Sequence, residues 1–340
     1  SIFAFTKTLS NDIFVYSLGN WKAPFGIVLV LDQFSILMVL VASLLAFGAL
    51  WYAISEGIDK KGAHFHPLFQ LQLFGLNGAF LTGDLFNLFV FFEILLLASY
   101  SLLLHAKGEG RVKAGLHYVV INLVGSTLFL FAVGTLYGIL GTLNIADLSQ
   151  KVAHLSPENV SIVASAGLLL LIVFGLKAAM FPLYFWLPNA YGKTSAPVAA
   201  LFAIMTKVGI YSIIRVHGTI FGQNANELAF YYTPWVLYIG LITLVLATFG
   251  VLSSKELKTQ ISYLVLLSVS TILIAIGINS KEALSGAIFY MIHSTFVAGG
   301  FFLIADVILK ARNSTSLRPK MPIFKNAILI GSIFFIFAIT

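Results

Sequence analysis

The sequence contains no cysteine, and Asp, Glu, Lys and Arg together make up only 10% of its 340 residues. The first absence excludes disulfides, thiolate zinc sites and cysteine-ligated clusters. The second excludes an ordinary soluble domain, in which about a quarter of the residues are charged. Also missing are a glycine-rich phosphate loop, metal-ligand spacing and a nucleophile elbow, so no soluble active-site class is indicated and no cofactor or metal is expected. The seven histidines are scattered, apart from His64 and His66, which share one loop. No signal-peptide pattern opens the chain, which begins at Ser1 without Met and stops at Thr340 within an apolar run. The expectation is an internal stretch of a longer protein, with further helices on both sides.

What is present is apolar. The chain is 59% hydrophobic with a mean hydropathy of +0.97, which points to an all-α polytopic membrane protein occupying residues 1–340 as one integral domain. The net charge of +7 reads as Lys and Arg gathered in cytoplasmic loops, not as a nucleic-acid surface. The first 25 residues are polar and aromatic, and Trp21, Pro24 and Phe25 suit an interfacial anchor.

Ten hydrophobic segments follow, near residues 26–54, 67–81, 82–104, 115–138, 160–187, 196–216, 234–252, 259–278, 283–309 and from 326 onward. Residues 139–159 read as a long, nearly neutral loop. The loops at 55–66, 105–114, 184–194, 253–258 and 310–325 carry 13 of the 20 Lys and Arg. The alternate loops and the N-terminal segment hold only Lys7, Lys22, Lys151 and Lys281. The basic loops therefore face the cytoplasm, and the odd-numbered spans run from outside to inside.

Against this background four ionisable residues stand inside spans. Glu93 lies roughly 13 Å along a helix starting at Asp84, close to the midplane of a hydrocarbon core about 30 Å thick. Lys207 is roughly 15 Å from Pro197, and His293 is at a similar depth from Ala283. Lys177 is roughly 25 Å from Val160 and near enough to the cytoplasmic face to snorkel. A charge at the midplane costs about 2.5–3.5 kcal/mol even on the mild insertion scale, so it needs a partner or a function. The bland readings are a structurally paired carboxylate for Glu93, a tether for Lys207 and a hydrogen-bonded core histidine for His293. Pro182 and Pro188 interrupt the span that carries Lys177, and broken membrane helices are tolerated where they line a polar cavity. Asp32, Asp306 and Arg215 lie toward span ends and read as interfacial anchors. Gly75 and Gly78 read as a helix-packing face.

Three stretches carry a family resemblance: GDLFNLFVFFEILLLASYSLLLH at 83–105, FGLKAAMFPLYFWLPNAY at 174–191 and SAPVAALFAIMTKVGIYSIIRV at 195–216. They closely resemble the D subunit of Mrp-type (Pha, Mnh) multisubunit Na+/H+ antiporters. That component is similar to the antiporter-like subunits of respiratory complex I and of membrane-bound hydrogenases. The resemblance runs from residue 23 onward and implies two inverted five-helix repeats, the first at 66–217 and an incomplete second at 232–340. It matches Glu93 to the family's fifth-helix glutamate, Lys177 to its broken-helix lysine and Lys207 to its eighth-helix lysine. Asn122 and His293 fall at comparable places in the two repeats.

The implied function is proton translocation along Glu93, Lys177, Lys207 and His293. The chain would be one subunit of a hetero-oligomeric antiporter in the bacterial inner membrane that exchanges H+ for a monovalent cation, Na+. Other antiporter subunits and lipid are the expected partners, with no nucleic acid. Two other readings stay open. One is a proton-pumping, non-redox subunit of a quinone-reducing or hydrogen-evolving complex. The other is a scaffold whose charges lock helices together.

Overall fold

The computed structural model describes residues 1–8, 12–105, 110–314, 316–317 and 326–339. The basic residues expected at 107, 318, 320 and 325, and the chain end at Thr340, lie outside them. A short helix α1 (Ile2–Thr8) precedes a hairpin of β1 (Phe14–Ser17) and β2 (Val28–Leu31), paired antiparallel from Phe14↔Leu31 to Ser17↔Val28. The first apolar segment therefore does not become helical at residue 26. Its β-branched and apolar start pairs as a strand, and helix α2 (Gln33–Ser55) begins only after Asp32. Asp32 Oδ1 accepts from the Ser35 N–H at 2.8 Å, and Ser35 Oγ accepts from the Asp32 N–H at 2.9 Å. This reciprocal capping box satisfies two of the donors a helix start leaves open.

Helix α3 (Phe65–Leu81) and helix α4 (Leu85–Leu104) form an antiparallel pair joined by a tight turn, and α4 is capped by Asp84, whose Oδ1 accepts from Asn87 N–H at 2.8 Å. The expected packing role of the α3 glycines is borne out: a Cβ at Gly75 would meet Leu95 at 2.9 Å, and one at Gly78 would meet the Phe91 ring at 2.0 Å. Helix α5 (Arg111–Leu140) returns outward. The segment expected as an open loop at 139–159 contains a helix, α6 (Ile145–Ala153), capped by Asn144, because Ile145, Leu148 and Val152 recur at helical spacing and are buried.

Helix α7 (Val160–Ala178) stops before Pro182. Ala179 takes a left-handed conformation (φ 61°), and the chain restarts as α8 (Trp186–Lys193). Pro182 stands in the interruption. Pro188 does not: it lies in the first turn of α8, where a missing N–H removes no helical hydrogen bond. The next run is also discontinuous, with α9 (Ala196–Phe202), α10 (Met205–Ser212), a π-helical turn over Ile213–His217 and α11 (Gly218–Ile220). Then come α12 (Thr233–Ser253), α13 (Leu257–Ile278), α14 (Lys281–Arg312) and α15 (Ala327–Ile339).

Among the described residues eight helical runs are long and apolar enough to cross a membrane: Gln33–Ser55, Leu85–Leu104, Arg111–Leu140, Pro157–Ala178, Ala196–Ile220, Asn226–Ser253, Leu257–Ile278 and Lys281–Arg312. Of the ten expected segments, α3 with 17 residues and α15 with 13 are too short for that standard. The run Ala196–Ile220 is the central one, with 94% of its most apolar window buried, whereas Asn226–Ser253 turns most of its surface outward at 28%.

Both ends of the bundle are tied. At one end, isolated bridges link Leu29 to Thr82 and Asp84 to Asn144, so the hairpin, the α3–α4 turn and the start of α6 form one small hydrogen-bonded patch. At the basic end Tyr52 donates to Asp306 at 2.8 Å, and Lys310 bridges Asp306 at 2.9 Å and Glu56 at 2.5 Å. Lys258 lies 3.7 Å from Asp306. Asp306 is thus the centre of a charge cluster joining α2, α13 and α14, not a lone interfacial anchor.

Candidate proton-handling site

Glu93 sits on α4, more than two turns from its start, half-buried against α5. Its carboxylate accepts a short hydrogen bond from Ser126 Oγ. One turn back along α5, Asn122 is buried, donates to Tyr118 O at 2.8 Å and leaves its own Oδ1 without a partner among the described residues. Between them lies Gly125, where a Cβ would meet Leu176 of α7 at 3.1 Å. The glycine lets α5 approach the residue next to Lys177, so Glu93, Ser126, Asn122 and Lys177 gather where α4, α5 and α7 meet.

Lys177 does not snorkel. It is buried in the last turn of α7, and its ammonium has no hydrogen-bond partner among the described residues. Its Nζ lies 5.2 Å from the centroid of the Phe92 ring, the neighbour of Glu93. Two things stabilise a cation here: the ring face and the negative end of the α7 dipole. No hydrogen bond joins it to Glu93 among the described residues. The pair is therefore apart in this structure, with the carboxylate bonded to Ser126 instead.

Lys207 is fully buried on α10, and its Nζ donates to Ser268 Oγ on α13 at 2.9 Å. It reaches this depth because α10 lies directly on the end of α7: a Cβ at Gly209 would meet Ala178 N at 2.4 Å and Phe174 O at 2.6 Å. Ser268 and His293 line the same cavity of about 350 Å³ between α13 and α14, together with Tyr290 and Ser294. The His293 ring stacks on Tyr290 at 6.0 Å, and its Nε2 has no partner among the described residues. Lys207, Ser268 and His293 are thus linked through one cavity, and α10 sets Lys207 beside the end of α7 that carries Lys177. Asn122 Oδ1, Lys177 Nζ, Thr206 Oγ1 and His293 Nε2 are buried without a hydrogen-bond partner among the described residues. A larger cavity of about 650 Å³ lies beside the α7–α8 interruption and is lined by both Pro182 and Pro188, with His117 and Tyr263 across from them. Lys177 is not part of that lining.

Sequence reasoning missed the hydroxyl partners. Ser126 and Ser268 look like any serine in an apolar helix, where the hydroxyl can bond a carbonyl of its own preceding turn. It also separated Asp32 from Arg215 as two anchors. The structure joins them: Arg215 Nη1 and Nη2 donate to Asp32 Oδ2 and Oδ1 at 2.6 and 2.7 Å. Burial pushes the Asp32 carboxyl up, but the Arg215 and Ser35 hydrogen bonds and the Arg215 charge outweigh it and hold it below its ordinary 3.8.

Residues 82–339 match the family described as "NADH:quinone oxidoreductase/Mrp antiporter, TM". The chain is 49% identical, over 88% of its length and 56% of the relative's, to a Rhizobium meliloti (strain 1021) protein named as the D subunit of a probable K+/H+ antiporter. It is 39% identical, over 100% of its own length and 68% of the relative's, to a protein of Alkalihalophilus pseudofirmus named as the D subunit of an Na+/H+ antiporter. The first of these relatives is therefore matched over little more than half its length. Among solved structures, the Mrp complex from Dietzia sp. DQ12-45-1b contains a chain superposing with a TM-score of 0.87 at 30% identity, covering 99% of this chain and 62% of that one. The chain belongs to the NADH:quinone oxidoreductase/Mrp antiporter transmembrane family.

Proposed function

We propose that this chain is the proton-translocating, D-type subunit of a multisubunit monovalent cation/H+ antiporter, in which protons move along Glu93, Lys177, Lys207 and His293 at membrane mid-depth. The observation that carries this reading is Lys207: a fully buried lysine whose one hydrogen-bond acceptor among the described residues, Ser268, opens onto the cavity that also holds His293. A tether would place a carboxylate opposite the ammonium. A neutral hydroxyl shared with a cavity suits a group that gives up and regains its proton.

Glu93 and Lys177 form the variable part. Moving a carboxylate toward or away from a buried lysine changes how tightly that lysine holds its proton. The structure has the pair apart, with Ser126 occupying Glu93. Closing it would draw Glu93 from Ser126 to Lys177, and reopening it would offer the proton to Lys207, one helix contact away. The inverted repeats at 66–217 and 232–340 belong to the same proposal. It is supported by the chain direction, since α3 leaves the basic face while α12 starts from the opposite one. The resemblance of the motifs favours Na+ as the exchanged cation, while the relatives' names divide between K+ and Na+; both support other antiporter subunits as partners and the bacterial inner membrane as the site.

The test is cation-dependent proton exchange in everted vesicles carrying the complete complex. Glu93→Gln or Lys177→Ala is expected to lower exchange by about tenfold or more, roughly 1.4 kcal/mol on the transfer barrier, with the complex still assembled. Full exchange in either variant overturns the ion-pair mechanism. A second reading follows from the family description, which joins antiporters to quinone-reducing complexes. In it the same row pumps protons for a redox enzyme. Flavin or iron–sulfur absorbance in the purified complex supports that reading, and collapse of a pH gradient by alkali cation without redox substrate supports antiport.

A further inference from the structure

Lys207, Tyr211 and Arg215 stand at i, i+4 and i+8 on one face of the central run, so they form a column from mid-depth toward the outer end, with Arg215 about 12 Å beyond Lys207. At the outer end a cavity of about 230 Å³ opens beside the hairpin, lined by Val15, Val30, Thr82 and Asn144, and its inner wall includes Tyr211 and Arg215. This is the outer side by the loop charges, and Tyr211 and Arg215 stand between this cavity and Lys207 along the run. We propose that the Asp32–Arg215–Tyr211 cluster is an outward proton seal over Lys207, which keeps protons from leaking between that lysine and the outer face and so directs them sideways along the row. The proposal rests on Lys207 handling protons, as argued above.

The seal follows from hydrogen-bond direction and from charge. Both Asp32 oxygens accept from the Arg215 fork, and Oδ1 also accepts from Ser35 N–H. Arg215 Nε donates to the Tyr211 oxygen at 3.0 Å, and the Tyr211 hydroxyl donates to Phe80 O at 2.6 Å. The tyrosine's proton is therefore directed onto a backbone carbonyl, and the guanidinium has only donors to offer. Proton hopping needs a chain of groups that each accept and donate in one direction, and here two neighbouring links face the wrong way. A fixed guanidinium also repels an arriving proton, as arginines do in pores that exclude protons and cations. It is held rigidly, with its Cζ 5.7 Å from the Phe34 ring centroid and 5.3 Å from that of Tyr211. The Tyr211 ring itself packs at 4.7 Å on Phe34 and 5.1 Å on Phe80. The pair is only about a fifth exposed (21% and 18%), so bulk water screens it weakly.

The test uses the complete complex in proteoliposomes with an imposed pH gradient, and reads two rates: proton leak with no exchangeable cation, and exchange after Na+ or K+ is added. Removing one partner alone would leave a buried charge unpaired and endanger folding. The informative variant is therefore Asp32→Asn together with Arg215→Gln, which leaves no unpaired charge, keeps a polar amide at both positions and supplies acceptors in place of the donor-only fork. Its leak is expected to rise about tenfold, which corresponds to about 1.4 kcal/mol off the leak barrier once acceptors replace the donor-only link. Adding Lys207→Ala to that pair should return the leak to the wild-type level. Arg215→Lys, which keeps the cation but not the fork, should stay tight, whereas a merely structural clamp predicts that it leaks as much as the neutral pair. An unchanged leak in the neutral pair, or a raised leak that survives Lys207→Ala, overturns the seal without touching the transport reading. Absence of cation-dependent exchange in the wild type instead overturns the transport reading beneath it.

Discussion

At the scale of single residues, the division is between charges and their partners. Ser268→Ala removes the acceptor that a buried ammonium uses. Losing a hydrogen bond to a charged group costs about 1.5–3 kcal/mol, so exchange through Lys207 is expected to change by about tenfold or more while the subunits still copurify. An unchanged rate, measured as Na+-driven proton movement, would show that Ser268 is a bystander. Glu93, Lys207 and His293 were legible in the sequence, because an ionisable residue in an apolar run of membrane length stands out at once. Ser126 and Ser268 were not, since nothing in a serine's surroundings along the chain tells whether its hydroxyl turns to its own helix or to a neighbour. Asp32 and Arg215 were visible as charges but not as a pair, because a separation of 183 residues carries no local signal of contact.

At the scale of elements, the interruptions decide where the side chains go. The stop of α7 at Ala178, before Pro182, was half legible: the proline announced a break, but the left-handed turn at Ala179 that ends the helix earlier did not show in the sequence. A left-handed conformation costs a residue with a Cβ about 1–2 kcal/mol, which the surrounding packing must outweigh. The contact between α7 and α10 depends on Gly209, whose neighbours are backbone atoms at 2.4 and 2.6 Å from a Cβ placed there. Backbone cannot rotate away as a side chain can. Gly209→Leu is therefore expected to push α10 from α7 and to lower stability by at least the 1–3 kcal/mol or so typical of overpacking. The readout is the thermal inactivation temperature of the purified complex, alongside exchange. By contrast, the Gly78 neighbour is a phenylalanine ring that can turn, so Gly78→Ala should be milder. A wild-type inactivation temperature for Gly209→Leu would contradict the assigned contact.

At the scale of the whole molecule, the loop charges predict its orientation, and the structure puts the basic loops and the hairpin at opposite ends of the bundle. Absence of cysteine makes the chain a clean background for site labelling. A membrane-impermeant thiol reagent should label Lys60→Cys only from the cytoplasmic side and Ser17→Cys only from the outside; the reverse pattern would invert the fold in the membrane. The span count was less legible than the orientation. Hydropathy counts every apolar run, but whether a run becomes one straight helix depends on caps, prolines and neighbours, as residues 26–54 and 160–187 show. The inward row and the outward seal both meet at Lys207, so one measurement bears most directly on the whole reading: Na+- or K+-dependent proton exchange by the complete complex with Lys207→Ala, with subunit assembly checked in the same preparation. A proton route through Lys207 predicts assembled complex with exchange reduced by about tenfold or more. Assembled complex with wild-type exchange would contradict it.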